Sequence, residues 1–336
     1  MKKIIPYLYY DIYSYRLMKG LQSLRNKMGY ETNPKKIAGK IKRQWMYIPE
    51  ATELIREYIE CDKPFFAGRL GASELNLMRN LDFGSESDIF KATEQLCRWS
   101  GFFPCEREQA VQFYELMKES LGKVDLIGMW SLQMEDYYVN RFTSDSCIAS
   151  HINIFDPKTN PFSPWISALE GKRVLVIHPF ADSIRKQYEE KRQLLFNNEN
   201  MLPKFDLHTI KAVQTIAGQK DDRFDSWFDA LDYMKNEILN CDFDVVLIGC
   251  GAYGFPLGAF VKDIGKKAIH AGGILQTYFG ITGNRWTADP TGRISRYANE
   301  HWVFPSEEET PDRASEVEDD AYWRGKGIIN GGNWKL

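Results

Sequence analysis

The segment from residue 243 to residue 286 constrains the fold more than any other part of the chain. An apolar run rich in β-branched residues at 243–248 stops at the motif G-C-G-A-Y-G, residues 249–254, and a second apolar run follows at 267–271. A short apolar run that ends at glycines indicates a buried strand, a tight turn and then a helix. The segment therefore predicts a strand–helix–strand unit of a parallel sheet.

The glycine turn is also a candidate phosphate site. Glycine lets the backbone turn sharply and approach a ligand closely, and the helix that begins near Phe255 offers unpaired N–H groups. We expect a diphosphate to bind the backbone of the turn, at Gly251, Ala252, Tyr253 and Gly254. A tight turn that binds no ligand is the alternative for any single glycine motif.

The spacing of these glycines matches the dinucleotide fingerprint G-x-G-x-x-G, so an NAD(P)-dependent oxidoreductase is a second hypothesis. That fingerprint also needs an acidic residue at the end of the second strand, about 20 residues on, to bind a ribose hydroxyl. Here the end of that strand carries His270 and Gly272. The NAD hypothesis is therefore weak, and both residues become candidates to line a pocket for another ligand.

A loop with the composition of a binding site follows at 276–286. Its sequence, Q-T-Y-F-G-I-T-G-N-R-W, combines amide, aromatic and guanidinium groups with too many glycines for a simple helix. An arginine beside an aromatic ring suits a phosphate next to a stacked base or sugar. We expect Gln276, Arg285 and Trp286 to contact the ligand; the alternative is an aromatic cover over the core edge with a solvated arginine.

Composition limits the classes of function. The 336 residues are 43% hydrophobic, which suffices for one large α/β domain with appendages. Lys and Arg number 43 and Asp and Glu 46, so the net charge is −3 and no nucleic-acid partner is expected. The charge is uneven: residues 1–48 hold eleven Lys or Arg beside Asp11 and Glu31, whereas eight acids at 307–320 accompany only Arg313.

Cysteine usage and the lack of a long apolar run bear on location. The six cysteines form no C-x-x-C pair, so free thiols in a reducing compartment are the simplest account. No run approaches the roughly 20 apolar residues that span a bilayer, and Pro6 and Asp11 interrupt the apolar start too early for a signal peptide. We expect a cytoplasmic protein. Tyrosines among Lys and Arg in residues 1–30 predict either peripheral contact with the inner membrane face or a basic helix packed on the domain.

Predicted strands and helices alternate through the rest of the chain. The strands lie at 64–68, 124–131, 173–177 and 207–210, and the helices at 73 onward, 106–121, 184–196 and 227–239. This order is typical of a Rossmann-like, mostly parallel sheet with helices on both faces, whose ligands bind at the carboxyl ends of the strands. Candidate ligand groups at those ends are Arg69, Gly71, Ser73, Glu74, His178, Ser183 and Lys211. Either Asp182 or Ser183 is expected to cap the helix at 184–196.

The chemistry that these groups allow is sugar transfer. The sequence has no G-x-S-x-G elbow, Walker loop or H-E-x-x-H motif, and its five histidines are too scattered for zinc. Helix N-termini, Lys, Arg, a carboxylate and aromatic rings suit a pyrophosphate-linked substrate. When a sugar leaves a nucleoside diphosphate, cationic groups or a divalent metal stabilise the leaving charge, while a carboxylate holds the metal or takes the acceptor's proton.

The chain also resembles a known family. The motif R-L-G-A-S-E at 69–74, the strand and glycine turn at 244–254 and the strand at 268–273 look like the bacterial glycosyltransferases of the GT-D fold. The loop at 276–286, with N-E-H-W at 299–302, further resembles uncharacterised relatives from capsule and surface-polysaccharide clusters. The resemblance covers residues 64–305 and implies a nucleotide-sugar-dependent transferase of the hexosyltransferase type, with Glu74 and Arg69 as its catalytic residues.

One departure from the family pattern concerns the metal. Family members carry a D-x-E arrangement thought to bind a divalent cation, and here the Asp position is Ala72 while the Glu is Glu74. Mn²⁺ or Mg²⁺ would then rely on Glu74, on water and on substrate phosphates, so metal dependence is open. Glu74 has three candidate roles: base, acceptor for a sugar hydroxyl, and ion ligand.

We therefore expect three parts: a basic helical extension at 1–47, a glycosyltransferase-like α/β domain at 48–305 and an acidic extension at 306–336. The expected reaction moves a sugar from a nucleoside-diphosphate sugar to a glycan or lipid-linked glycan in surface polysaccharide or glycoconjugate synthesis. A non-catalytic nucleotide- or sugar-binding protein of a polysaccharide assembly complex is a third hypothesis, motivated by Ala72. The sugar, the base and the oligomeric state are not predicted.

Overall fold

A single parallel sheet organises the molecule. The computed structural model describes residues 41–157, 164–287, 297–318 and 320–325. Within these ranges eight strands pair in the order β1-β4-β3-β2-β8-β7-β5-β6, and each of these pairings is parallel. The strands are β1 (Gln44–Trp45), β2 (Phe65–Gly68), β3 (Leu126–Met129), β4 (Ile148–His151), β5 (Arg173–His178), β6 (Asp206–Lys211), β7 (Val245–Ile248) and β8 (Lys267–His270).

Helices cover both faces of this sheet. They are α1 (Ile48–Glu60), α2 (Ala72–Phe83), α3 (Glu86–Ser100), α4 (Arg107–Lys123), α5 (Glu135–Phe142), α6 (Ala181–Lys191), α7 (Trp227–Leu239), α8 (Gly254–Asp263), α9 (Leu275–Tyr278) and α10 (Asn284–Thr287). Helices α2 to α5, α7 and α8 share one core, and α1, α6 and α9 pack in the other. The predicted Rossmann-like α/β class is confirmed.

Alternation along the central strands explains why both faces are apolar. In β5, Leu175 and Ile177 enter the first core while Val174 and Val176 enter the second. Successive side chains of a strand point to opposite faces, so a strand that is buried on both sides is apolar throughout. This is the pattern that the run at 243–248 predicts.

Several predicted boundaries need correction. Helix α7 has the predicted bounds, but α6 begins at Ala181 rather than Ile184, with Phe180 at the N-cap and no side-chain cap. Sequence inspection also missed β1, β4, α3 and α5. Strand β1 lies inside the expected extension at 1–47 and pairs with β4, so the sheet includes the end of that region.

The cysteines differ from the expectation of free thiols throughout. Cys97 and Cys105 are joined by a disulfide with an S–S distance of 2.06 Å. Cys61, Cys147, Cys241 and Cys250 are free. None of the helices in the described ranges is both long and apolar enough to cross a bilayer. The predicted membrane contact through residues 1–30 lies outside the described residues.

Candidate functional site

A central cavity of about 140 Å³ opens at the carboxyl ends of β2, β3, β5, β7 and β8, and Val317, Glu318, Tyr322 and Trp323 also line it. Eight of the residues predicted for the site line it: Arg69, Gly71, Ser73, Glu74, His178, Gly251, Gln276 and Arg285. Parallel strands all end at one edge of the sheet, so segments that are far apart in sequence meet there. The sequence therefore located the cavity, although only part of its wall.

Glu74 projects into this cavity from the first turn of α2. It is 7% exposed, and Ser73 Oγ donates a hydrogen bond of 3.0 Å to Glu74 Oε2. Ser73 Oγ also lies 2.6 Å from Ser100 Oγ at the end of α3. The carboxylate lies so close to the Cα of Gly71 that a Cβ on Gly71 would overlap it. Glycine at position 71 is therefore what allows Glu74 this position.

Arg69 also lines the cavity, and its position likewise depends on a glycine. A Cβ on Gly272 would overlap its guanidinium group, and Gly272 also has a positive φ of 70°. Arg69 Cζ lies 5.6 Å from the Trp130 ring, and both side chains donate a hydrogen bond to Leu70 O. Among the described residues Arg69 makes this one hydrogen bond, at 3.3 Å from Nη1, so its other N–H groups can bind a ligand.

His178 is a neutral hydrogen-bonding group rather than a base. Complete burial lowers the pKa of His178 to about 3. The backbone N–H of Phe180 donates to His178 Nδ1 at 3.0 Å, which leaves the proton on Nε2. His178 therefore contributes an N–H donor to the cavity wall, and its low basicity makes it a poor proton acceptor for catalysis.

Gln276 supplies an acceptor that the described residues do not use. Its side chain is fully buried, and Nε2 donates to the backbone oxygens of Thr282 and Tyr322 at 3.1 and 3.3 Å. Oε1 has no hydrogen-bond partner among the described residues. A buried amide oxygen without a donor is costly, so a ligand hydroxyl or N–H at this position would be favoured.

Arg285 is held by the acidic C-terminal segment. It forms an ion pair with Glu318, donates from Nη1 to Tyr322 Oη at 3.1 Å, and lies 4.8 Å above the Tyr322 ring. Gly273 admits the Tyr322 ring, since a Cβ there would overlap it. Val317, Glu318, Tyr322 and Trp323 thus form part of the cavity wall, and Trp323 is buried.

A side cavity of about 230 Å³ adjoins the central one. The two share Arg69, Trp130, Gly273 and Arg285, and Trp286 lines only the side cavity. Together the two spaces reach the lower end of the roughly 300–1,000 Å³ that ligand sites occupy. Trp286 therefore lies near the predicted ligand, but next to the central cavity rather than in it.

The glycine turn serves packing more than ligand contact. Ala252 and Tyr253 are each 1% exposed, and the Tyr253 ring stacks on Trp227 with 4.7 Å between ring centroids. A Cβ on Gly254 would overlap the His270 ring. Of the four turn residues predicted to bind a diphosphate, only Gly251 lines the central cavity. Gly254, the third glycine of the motif and the first residue of α8, thus makes room for the buried ring of His270.

His270 and Gly272 lie outside the lining of the central cavity and pack next to residues near it. Neither lines it: His270 is 3% exposed and packs against Gly254, while Gly272 makes room for Arg69. Burial and the nearby Arg69 lower the pKa of His270 to about 3. The second strand of the unit therefore ends in a neutral imidazole, and no carboxylate stands there to bind a ribose.

The N-terminus of α6 is already occupied. Glu309 Oε1 accepts hydrogen bonds from the backbone N–H groups of Asp182 and Ser183 at 2.9 and 3.2 Å, and Ser183 Oγ donates to Oε2. The predicted phosphate site at this helix end, with Ser183 as its contact, is therefore filled by a carboxylate of the chain. Lys211 lies outside the central cavity, where it forms an ion pair of 3.0 Å with Asp182.

Several lining residues were missed as site residues. They are mainly Trp99, Ser100, Trp130, Thr215, Glu318, Tyr322 and Trp323. Trp99 and Ser100 end α3, whose start carries the capping-box pattern S-E-S-D at 85–88, with both capping hydrogen bonds formed. That pattern was visible in the sequence and could have revealed the helix. The aromatic pair Tyr322 and Trp323 after the acidic stretch suggested docking on the domain, but nothing in the sequence indicated that these residues reach the cavity.

The central cavity offers few side chains that could ligate a metal ion. Within the described residues, no group of three or more His, Cys, Asp or Glu side chains is placed to hold an ion. The carboxylates of Glu74 and Glu318 line the central cavity, and Glu318 is already paired with Arg285. These residues do not fit an ion held chiefly by protein ligands, because such sites need several oxygen ligands. We derive no chemical step through a metal.

Comparison with known proteins gives two structural similarities. Both are to solved structures of domain of unknown function 1792, one described as having a distinct glycosyltransferase fold and the other selenomethionine-substituted. Their TM-scores are 0.42 and 0.43, each at 13% sequence identity. Each match covers 71% of this chain and 80% of the chain in the solved structure. No protein-family model and no curated protein matches the chain.

Proposed function

We propose that the protein is a glycosyltransferase that moves a hexose from a nucleoside-diphosphate sugar to a glycan acceptor. One observation carries the proposal: the Glu74 carboxylate is held over Gly71 in the same cavity as the guanidinium groups of Arg69 and Arg285. A carboxylate beside cations at the end of parallel strands is suited to proton transfer next to a developing phosphate charge. The sequence resemblance to GT-D enzymes points the same way.

In the proposed reaction the donor spans the central and side cavities. Its diphosphate lies near Arg69 and Arg285, and its nucleoside extends towards Trp286. The acceptor hydroxyl oxygen bonds to the anomeric carbon, and the bond from that carbon to the diphosphate oxygen breaks. The diphosphate leaves with the electron pair, Glu74 takes the hydroxyl proton, and the two arginines stabilise the leaving charge.

The cavity wall also provides specificity for a sugar. His178 offers an N–H donor and Gln276 an unused amide oxygen, so the wall presents both kinds of partner that a sugar hydroxyl needs. Arg285 would exchange Glu318 for a phosphate when the donor binds. Surface polysaccharide or glycoconjugate synthesis as the setting, and a lipid-linked acceptor at the inner membrane face, are supported by the sequence resemblance alone.

A thermal-shift screen tests this proposal. The protein is melted with UDP, GDP, CMP, TDP or NADH, each with and without Mn²⁺, since a ligand that binds only the folded state raises the melting temperature. We expect a shift with one of the nucleotides other than NADH, and its Mn²⁺ dependence reports whether an ion assists. A shift with NADH alone would overturn the proposal in favour of an oxidoreductase.

Turnover separates an enzyme from a binding protein. A nucleotide identified in the screen defines a set of sugar donors, and release of the free nucleotide from each is then measured. Release that depends on Glu74 supports the transferase. Nucleotide binding without release from any donor, with water or with glycans as acceptors, would favour the non-catalytic hypothesis.

A further inference from the structure

A groove on the helical face adjoins the central cavity and is not used by the donor. It holds about 750 Å³ and lies along α2 and α3, with residues 217–218 and Arg313 on its other side. Trp99 lines both the groove and the central cavity. A ligand in the groove would therefore reach the cavity directly, and the volume lies within the range of ligand sites.

The two helices lead from the groove to the candidate base. Helix α2 ends at Phe83 with Gly84 as its C-cap, and the next residue, Ser85, is the N-cap of α3, so the helices form a hairpin and pack against each other. Glu74 lies in the first turn of α2, and Ser100 ends α3. A hydrogen bond between Ser73 Oγ and Ser100 Oγ joins the two helices at the central cavity, and Trp99, next to Ser100, lines both the cavity and the groove.

The surface of the groove suits a carbohydrate. Phe90 and Trp99 are 60% and 38% exposed, which is unusual for large aromatic side chains and provides rings for the C–H faces of sugars. Between the helices, Asn76 Nδ2 donates to Gln95 Oε1 at 2.6 Å, and Arg79 donates to Asn76 Oδ1 at 2.8 Å. Amide and guanidinium groups of this kind bind sugar hydroxyls.

The charge of the groove favours an anionic ligand. Arg79, Lys91 and Arg98 line it, and none of them forms an ion pair with a described carboxylate. Its acidic residues are Asp88 and Glu94, and Asp88 is engaged in the capping box of α3 with Ser85. The cations thus outnumber the acids, and a carboxylate or phosphate on the ligand would complement them.

We propose that this groove, along α2 and α3, is the acceptor subsite and that it binds an anionic oligosaccharide, whose terminal hydroxyl enters the cavity at Trp99. The inference rests on the proposed transferase function for its role, because an acceptor subsite has a function only in a transferase. Binding itself does not depend on turnover, so the groove is testable separately.

The test uses a glycan array that carries matched pairs of oligosaccharides: uronic-acid or phosphate-bearing glycans beside their carboxyl-reduced or dephosphorylated forms. Wild-type protein is compared with the double variant Lys91→Glu/Arg98→Glu. The matched control is Arg185→Glu/Lys186→Glu, which makes the same charge change at two exposed residues of α6 on the other face of the sheet. Nucleotide binding is measured for all three by thermal shift.

We expect wild type and the control to bind anionic glycans and to bind the neutral partners of these glycans at least tenfold more weakly. The groove variant should bind anionic glycans at least tenfold more weakly than wild type, with an unchanged thermal shift by the nucleotide. No glycan binding by wild type, equal binding by the groove variant, or a preference for neutral glycans would overturn the inference. If no nucleotide raises the melting temperature of any of the three proteins while anionic glycans still bind through the groove, the proposed function is wrong and the groove is still a glycan-binding site.

Discussion

The carboxylate of Glu74 lies over the Cα of Gly71, in space that a Cβ on residue 71 would fill. Gly71 is the N-cap of α2 and Glu74 is in the first turn, so the contact follows from the helix geometry itself. Gly71 has a φ of −82°, which any residue adopts. The glycine is therefore needed for space and not for backbone conformation.

This relationship predicts the effect of Gly71→Ala. The added methyl group should push the carboxylate out of position, and a displacement near 1 Å costs on the order of 100-fold in rate. We expect turnover of the sugar donor to fall by about 10- to 100-fold while the thermal shift with the nucleotide persists. Gly122→Ala, in α4 with no close neighbour, is the control and should leave turnover unchanged. Normal turnover in Gly71→Ala would argue against a catalytic Glu74.

Arg69→Lys should separate charge from geometry. Lysine keeps the positive charge but lacks the planar fork that binds two phosphate oxygens and stacks near Trp130. We expect the Kd for the nucleotide, measured by titration calorimetry, to rise about tenfold. Arg185→Lys on α6 serves as the control and should not change it. An unchanged Kd in Arg69→Lys would place the diphosphate away from this residue.

Glu135 predicts how stability depends on pH. Burial raises the pKa of Glu135 from its ordinary 4.5 to about 8, although the backbone N–H groups of Trp130 and Leu132 donate to it. Between these values the folded state keeps a proton that the unfolded state has lost. The contribution of Glu135 to stability therefore falls as pH rises from about 4.5 to about 8, by at most about 1.4 kcal/mol per pH unit.

Denaturant melts across this pH range test the assignment. In Glu135→Gln the side chain stays neutral, so the free energy of unfolding should fall less steeply with pH than in wild type. Glu119→Gln, at an exposed position of α4, controls for the loss of one carboxylate and should keep the wild-type slope. Parallel slopes for wild type and Glu135→Gln would contradict a buried protonated carboxyl group.

Glu309 is expected to stabilise the start of α6, more than a hundred residues earlier in the sequence. Its carboxylate accepts the N–H groups at the start of α6, where a negative charge is favoured by the helix dipole. Glu309→Gln keeps an acceptor oxygen but removes the charge, so we expect a loss of about 1 kcal/mol in the free energy of unfolding. Glu307→Gln, exposed in the same turn, should lose much less. Equal effects would show that the charge at the helix end is unimportant.

The sequence predicted the parts of the fold that local patterns determine. The run at 243–248 and the periodicity of 227–239 gave β7 within two residues and α7 with its exact bounds. Strand ends then indicated Arg69, Glu74 and His178, because parallel strands gather their exits at one edge, and the composition of the loop at 276–286 indicated Gln276. All four line the central cavity.

The parts that were missed depend on long-range contacts. Ser183 looked available for a ligand, but Glu309, more than a hundred residues later, fills that helix end. The glycine motif looked like a phosphate turn, but Gly254 admits the ring of His270 from the neighbouring strand. A motif shows which residues tolerate a close approach, whereas the tertiary packing decides whether a ligand or a side chain makes it.

The role of Glu74 in taking the acceptor's proton is tested by the rate of sugar transfer in Glu74→Gln. This rate is measured beside the nucleotide thermal shift of the same preparation, with Glu190→Gln at an exposed site on α6 as the control. We predict a fall of at least 100-fold in transfer with an unchanged thermal shift. Transfer at the wild-type rate by Glu74→Gln would contradict the account.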